Sequence, residues 1–123
     1  MRFIADFHIH SKFSRATSKE MEVETLARWA KKKGIALLGT GDFTHPTYFA
    51  ELRSKLEPLG NGLFKLKKGE QGVRYILTAE VSNIYTQGGK VRRIHNLIFA
   101  PSFEVVEAIR SKLGNLGKLS SDG

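Results

Sequence analysis

The chain of 123 residues contains no cysteine. That absence excludes a disulfide framework and thiolate metal sites, so any metal must be held by histidine and carboxylate, and it suits a cytoplasmic protein. No apolar run approaches the ~20 residues that a membrane-spanning helix needs. The apolar part of Met1-Arg2-Phe3-Ile4-Ala5-Asp6 is too short for a signal peptide. There is no internal repeat and no low-complexity tract. Acidic residues are scarce, with 12 Asp and Glu against 20 Lys and Arg, a formal net charge of +8. Such an excess favours polyanionic partners, nucleic acid first. What is present, 41% hydrophobic and 10% aromatic residues, fits one globular domain rather than a disordered chain.

The chemistry begins at Asp6-Phe7-His8-Ile9-His10-Ser11, just after the apolar run Phe3-Ile4-Ala5, which reads as a buried strand. On an extended chain residues two apart share a side. His8 and His10 therefore present two imidazoles together, with Asp6 of the same parity able to buttress one of them. The polar loop that follows, Ser11 to Ser18, is a rim loop whose Arg15 could hold a phosphate or a backbone carbonyl. The segment from Glu20 to Gly34 predicts a helix: Val23, Leu26, Ala27 and Ala30 recur at helical spacing, acids come early, lysines late, and Gly34 is the stop. Ile35 to Thr40, apolar and bounded by glycines, predicts a second, parallel strand. Gly41-Asp42-Phe43-Thr44-His45-Pro46 then again sets a carboxylate and a histidine just past a strand end. Asp42 reads as a turn residue or as part of a site, and His45 as a helix-start residue or as part of the same site. In parallel α/β architectures ligands bind outside the carboxyl ends of the strands, which favours the shared site.

Pro46 to Leu56 predicts a second helix, ended by Pro58 and Gly60. Gly60 to Gly72 reads as a loop or a short hairpin around Leu63-Phe64-Lys65-Leu66. Arg74 to Tyr85 and Val91 to Ala100 predict a pair of strands joined by the turn Gln87-Gly88-Gly89-Lys90. Glu80 lies within the first of these and His95 within the second, and a carboxylate buried there must be paired or bind a cation. Ser102 caps a last helix with Val105, Val106, Ile109 and Leu113 at core spacing and Gly114 as the stop. The polar tail from Asn115 predicts no strand. His8, His10, Asp42, His45, Glu80 and His95 thus fall at strand ends or inside strands of an alternating chain. Two or three divalent metals about 3.5–4 Å apart, held by such ligands, suit hydrolysis of a phosphate ester.

These stretches resemble a known family. Asp6-x-His8-x-His10-Ser11 resembles the first motif of the polymerase-and-histidinol-phosphatase (PHP) superfamily, Gly39-Thr40-Gly41-Asp42 the second, and Thr78-Ala79-Glu80-Val81-Ser82 the glutamate motif. Ile94-His95-Asn96-Leu97 is similar to the strand carrying the next histidine. The longer runs around these motifs, from His8 to Ala16, Gly39 to Pro46, Glu80 to Tyr85 and Gly89 to Leu97, look like the endonuclease Q family within it. The resemblance implies an α/β fold, the N-terminal portion of a distorted, TIM-like β/α barrel carrying a β-hairpin, with residues 1–123 forming the N-terminal part of a PHP domain. It implies a centre of two or three divalent metals (Zn, Mn or Mg). His8 and His10 would bind one, Glu80 would bridge, His95 would bind the second, and Asp42 would serve a third site or position the attacking water, with His45 beside it. It implies DNA as partner and no membrane, with Arg15, Lys90, Arg92 and Arg93 as phosphate contacts. The activity implied is a DNA repair endonuclease that nicks 5′ of deaminated bases (uracil, hypoxanthine, xanthine) or abasic sites. The alternatives are a small-molecule phosphatase of the same superfamily and an inactive nucleic-acid-binding fragment.

Two departures qualify the resemblance. The commoner pattern has a histidine directly after the aspartate of the second motif, whereas Phe43 stands there and His45 comes later, which leaves third-metal ligation by this segment open. Superfamily members also carry later ligands, yet after His95 this chain has no histidine and Asp122 is its only aspartate. The expectation is an incomplete barrel with an unpaired sheet edge, marginally stable alone or prone to self-association.

Overall fold

The computed structural model describes residues 1–14 and 18–117. Strand β1 (Ile4–Asp6) leads through the histidine loop to helix α1 (Val23–Lys33), then strand β2 (Ile35–Gly39) and helix α2 (Pro46–Lys55). A small hairpin follows, β3 (Leu56–Pro58) and β4 (Phe64–Leu66), and then the long strands β5 (Arg74–Gln87) and β6 (Lys90–Ala100), with helix α3 (Phe103–Gly114) last.

Each helix begins and ends where its chemistry dictates. Helix α1 places Val23, Leu26, Ala27 and Ala30 inward and Lys31, Lys32 and Lys33 in its last turn, where cations complement the helix dipole. Gly34 closes it at φ 74°, a left-handed conformation, donating its N–H to the carbonyls of Ala30 and Lys31. Helix α2 takes Pro46 at its start and α3 takes the Ser102 hydroxyl as acceptor for the Val105 N–H at 3.2 Å.

The strands order as β1-β2-β5-β4-β3 in a mixed sheet, with β6 paired to β5 off that path. Strands β1, β2 and β5 run parallel, while β4 and β3 are antiparallel additions. Strand β5 changes partners along its length. Arg74, Tyr75 and Ile76 pair with β2, and from Leu77 to Gln87 the strand pairs with β6 as a two-stranded ribbon. Among the described residues the sheet does not close: β1 and β3 are its edges, so the fold is a mixed α/β sheet and the expected barrel is not seen in this sheet.

One core lies where α1, α2 and α3 meet the sheet. It contains Val23, Ala27, Phe49, Leu52, Phe64, Tyr75, Leu77, Phe103 and Val106, all buried. Two buried phenols tie it together: Tyr48 donates to the Thr40 carbonyl at 2.9 Å, and Tyr75 donates to the Val23 carbonyl. Burial pushes both hydroxyls above their ordinary pKa.

Several boundaries differ from the sequence reading. Strand β1 is Ile4–Asp6, with Phe3 and Ile4 exposed rather than buried because the strand lies at the sheet edge, and α1 begins at Val23 rather than Glu20. Helix α2 ends at Lys55 rather than Leu56, and Leu56–Pro58 is strand β3, which pairs with Phe64–Leu66. Pro58 disfavours helical geometry at Glu57, so the backbone turns extended one residue earlier than the apolar spacing suggests. Helix α3 continues through Gly114 and is capped at Asn115.

Candidate metal centre

The site forms where the ends of β1 and β2 meet the ribbon strand β5. Two glycines permit the approach. A Cβ at Gly39 would stand 2.5 Å from the Phe7 carbonyl oxygen and 2.6 Å from the Thr78 hydroxyl. A Cβ at Gly41, itself at φ 69°, would stand 2.1 Å from the Ile9 carbonyl oxygen. The backbone after β2 is thereby pressed against the His8-Ile9-His10 backbone. The Thr78 hydroxyl accepts from the Gly41 N–H at 2.9 Å, and the Thr40 hydroxyl from the Thr78 N–H at 3.2 Å.

At the centre is the Glu80 carboxylate, whose side chain is 15% exposed. Its Oε2 lies 2.5 Å from His8 Nε2 and 2.9 Å from His10 Nε2, and its Oε1 lies 2.6 Å from His95 Nδ1. The imidazoles thus divide between the two oxygens of one carboxylate. The hydrogen bond from His8 holds Glu80 below the ordinary carboxyl range, with burial pulling the other way and His10 and His95 adding to the lowering. His8 and His10 lie with ring centroids 5.4 Å apart.

Behind His10 stands Asp42. Its Oδ1 is 3.3 Å from His10 Nδ1, and its Oδ2 accepts from the Ser11 N–H and hydroxyl, both at 2.6 Å, and from the Ser14 hydroxyl at 2.8 Å. Asp42 adopts φ 46°, the left-handed region that non-glycine residues seldom enter. Asp6 Oδ1 accepts the His8 backbone N–H at 3.3 Å, so it orders the loop rather than a ring.

The structure therefore gathers His8, His10, Asp42, Glu80 and His95 into one connected cluster. His45 stands outside these contacts. It caps α2, its Nδ1 accepting from the Tyr48 N–H at 3.4 Å, and its ring stacks on Phe13 at 4.2 Å. Arg15 lies outside the described residues. Lys90, Arg92 and Arg93 are exposed on the outer part of the ribbon.

The donor set suits a divalent cation. Ligand atoms of His8, His10 and Glu80 all lie within 4.8 Å of one another, and two imidazoles with a carboxylate is a common set for zinc, manganese or iron.

No protein-family model matches the chain. It is 37% identical over 113 residues to an uncharacterised protein of Methanocaldococcus jannaschii, a match spanning 92% of this chain and 12% of that protein. The crystal structure of the lesion-specific endonuclease Q from Pyrococcus furiosus superposes with TM-score 0.77 and 32% identity over 96% of this chain. The chain is similar to the N-terminal part of an endonuclease Q-like protein. A second endonuclease Q structure, bound to a 27-mer duplex substrate with an abasic lesion at the active site, superposes with TM-score 0.78 and 35% identity over 97% of this chain. The chain spans 27% and 28% of those two endonuclease Q chains.

Sequence reasoning missed Ser11 and Ser14, which hold Asp42. Ser11 is fully buried, and only its place directly after His10 hints at this. Among the described residues, no helix is long and apolar enough to cross a membrane.

Proposed function

We propose that this chain carries part of the catalytic centre of a metal-dependent phosphoesterase, a DNA repair endonuclease that nicks 5′ of deaminated bases or abasic sites. In this reading it forms the N-terminal part of a PHP-type domain. The observation that carries the proposal is the Glu80 carboxylate with His8 and His10 on one oxygen and His95 on the other. In the two-metal centre that the family resemblance implies, Glu80 would be shared, His8 and His10 would hold one cation and His95 would hold the second. When bound, such cations supply Lewis-acid polarisation of a phosphoryl oxygen and activation of water.

The chain's own residues then have distinct tasks. Asp42 orients the His10 ring through Nδ1, and Ser11 and Ser14 fix Asp42 in turn. His45 fixes the start of α2 and so the loop that bears Asp42. DNA is the substrate class supported by the endonuclease Q likeness, one member of which is bound to duplex DNA, and by the +8 charge.

The test is cleavage of labelled duplexes containing uracil, hypoxanthine or an abasic site in Mn²⁺, Mg²⁺ or Zn²⁺, beside metal content by elemental mass spectrometry. Nicking 5′ of the lesion, lost in Glu80→Gln, is the expected result. Hydrolysis of p-nitrophenyl phosphate with indifference to damaged DNA would replace this reading with the phosphatase. Duplex binding without retained metal would replace it with a nucleic-acid-binding role alone.

A further inference from the structure

The β5–β6 ribbon extends past the core, and its register separates basic residues that the sequence sets side by side. Pairing runs unbroken from Leu77↔Ala100 to Gln87↔Lys90, so alternate residues along each strand share a face. One face starts with Leu77, Ala79 and Ala100, all buried in the core. It continues outward to the pairs Tyr85↔Arg92 and Gln87↔Lys90. The opposite face carries Glu80 and His95, then Ile84↔Arg93, then Thr86↔Val91.

Arg93 therefore shares the face of the Glu80–His95 contact. It lies two residues from His95 on the same strand, about 6.8 Å along it at ~3.4 Å per residue. Arginine's extended side chain can cover that distance. Arg92 and Lys90 stand on the reverse face. Arg93 is exposed, and among the described residues it joins no ion pair with a carboxylate. Ile84 and Val91, 61% and 64% exposed, flank it on the same face. An uncommitted guanidinium between two exposed aliphatic side chains, leading away from a carboxylate–imidazole centre, matches a strand of nucleic acid: anionic phosphates beside apolar sugar edges.

We infer that Arg93 binds the phosphodiester backbone of the DNA strand at the metal centre, with Ile84 and Val91 against its sugars, whereas Arg92 and Lys90 face phosphates away from the centre. This rests on the nuclease reading above and deepens it by dividing the basic hairpin into a site-side and an outer face.

The test is a coupling cycle read by binding rather than cleavage. Fluorescence anisotropy measures affinity of the full chain for a short labelled duplex with one uracil, in EDTA and in Ca²⁺, across a range of salt. The duplex is made with either a normal linkage or a neutral methylphosphonate 5′ to the uracil. Arg93→Gln is expected to weaken binding of the normal duplex and to reduce the salt slope by ~0.9. It should cost little more when the linkage is already neutral. Arg92→Gln should lose affinity equally on both duplexes, and Arg93→Lys should retain the slope. Additive losses for Arg93→Gln, like those of Arg92→Gln, would overturn the assignment of faces while leaving the nuclease reading intact. No duplex binding by the unaltered chain would overturn both.

Discussion

The Asp42 carboxylate stands behind the His10 imidazole, 3.3 Å from Nδ1, while Nε2 of the same ring lies 2.9 Å from Glu80. With Nδ1–H donating to Asp42, the ring plane is fixed and the Nε2 lone pair is left for a cation, and that is how carboxylates orient metal-binding histidines from outside the ligand set. The other Asp42 oxygen takes three hydrogen bonds from Ser11 and Ser14. Those bonds offset the left-handed backbone at Asp42, whose cost is on the order of 1–3 kcal/mol. Asp42→Asn replaces one accepting oxygen by a donor and so breaks either the serine contacts or the His10 contact. The expected outcome is a ~10–100-fold loss of Mn²⁺ or Zn²⁺ affinity with unchanged stoichiometry. Isothermal titration reads both. A fall in stoichiometry instead would make Asp42 a ligand in its own right.

Glu80 and His95 predict a different signature. If the carboxylate serves two cations, Glu80→Gln removes a charge from both and leaves little metal bound after dialysis. His95→Ala strips one side only, and the content should fall by about one equivalent. Elemental mass spectrometry of the purified variants distinguishes these from a single shared cation, for which His95→Ala would change nothing.

How far the site could be read before the structure varies residue by residue. His8, His10, Glu80 and His95 were legible because each lies at a strand end or inside a strand, where parity and position already group side chains. The helices were legible from stripe and cap: Gly34 and Ser102 do what their types imply. Strand β3 was not, because Leu56–Pro58 is only a strand by virtue of its pairing with Phe64–Leu66. In sequence, Ser11 and Ser14 sit in an unpatterned polar loop. The burial of Ser11 and the bonds of both serines to Asp42 depend on a loop from beyond β2 docking on them, which local pattern does not encode. His45 had two readings in the sequence, and its contacts with Tyr48 and Phe13 give it the helix-start role.

Glu22 is one of three carboxyls, with Glu70 and Glu80, held below the ordinary range, and it predicts an acid sensitivity away from the site. Lys12 donates to it at 2.7 Å, and Lys55 adds its charge from 3.9 Å. The Lys12 hydrogen bond, then Lys55, holds Glu22 below its ordinary pKa of 4.5, with desolvation opposing. A carboxyl whose folded pKa is depressed contributes stability that is full above its unfolded value and lost as pH falls through the folded one. Unfolding midpoints in urea should therefore drop as pH falls below about 4.5, the ordinary carboxyl value. Glu22→Gln should flatten that part of the profile while leaving the neutral-pH midpoint within ~0.5 kcal/mol of the unaltered chain, as expected for a half-exposed ion pair.

The core of α2 offers a stability test independent of the site. Leu52 is fully buried among residues that include Phe49 and Phe103. Leu52→Ala should cost ~2–5 kcal/mol, the range for a large-to-small change that leaves a cavity. Urea titration by circular dichroism measures it, and a cost under ~1 kcal/mol would mean that the helix repacks.

The open edge of the sheet predicts association. Strand β1 pairs with β2 on one side, and among the described residues nothing pairs with its other side. Phe3, just before it, and Ile4, within it, are 61% and 59% exposed, and Trp29 of α1 is 55% exposed. Unpaired backbone donors and acceptors next to apolar side chains are a template for strand addition, and a lysine on such an edge opposes it by repulsion and desolvation. The unaltered chain should show concentration-dependent sedimentation. Ile4→Lys should raise the apparent dissociation constant about tenfold, ~1.4 kcal/mol, without changing the unfolding midpoint of the monomer. Because Ile4 is exposed and lies before the histidine loop, the same variant should keep its metal content. A monomeric unaltered chain at high concentration would show that the side chains around β1 already protect the edge.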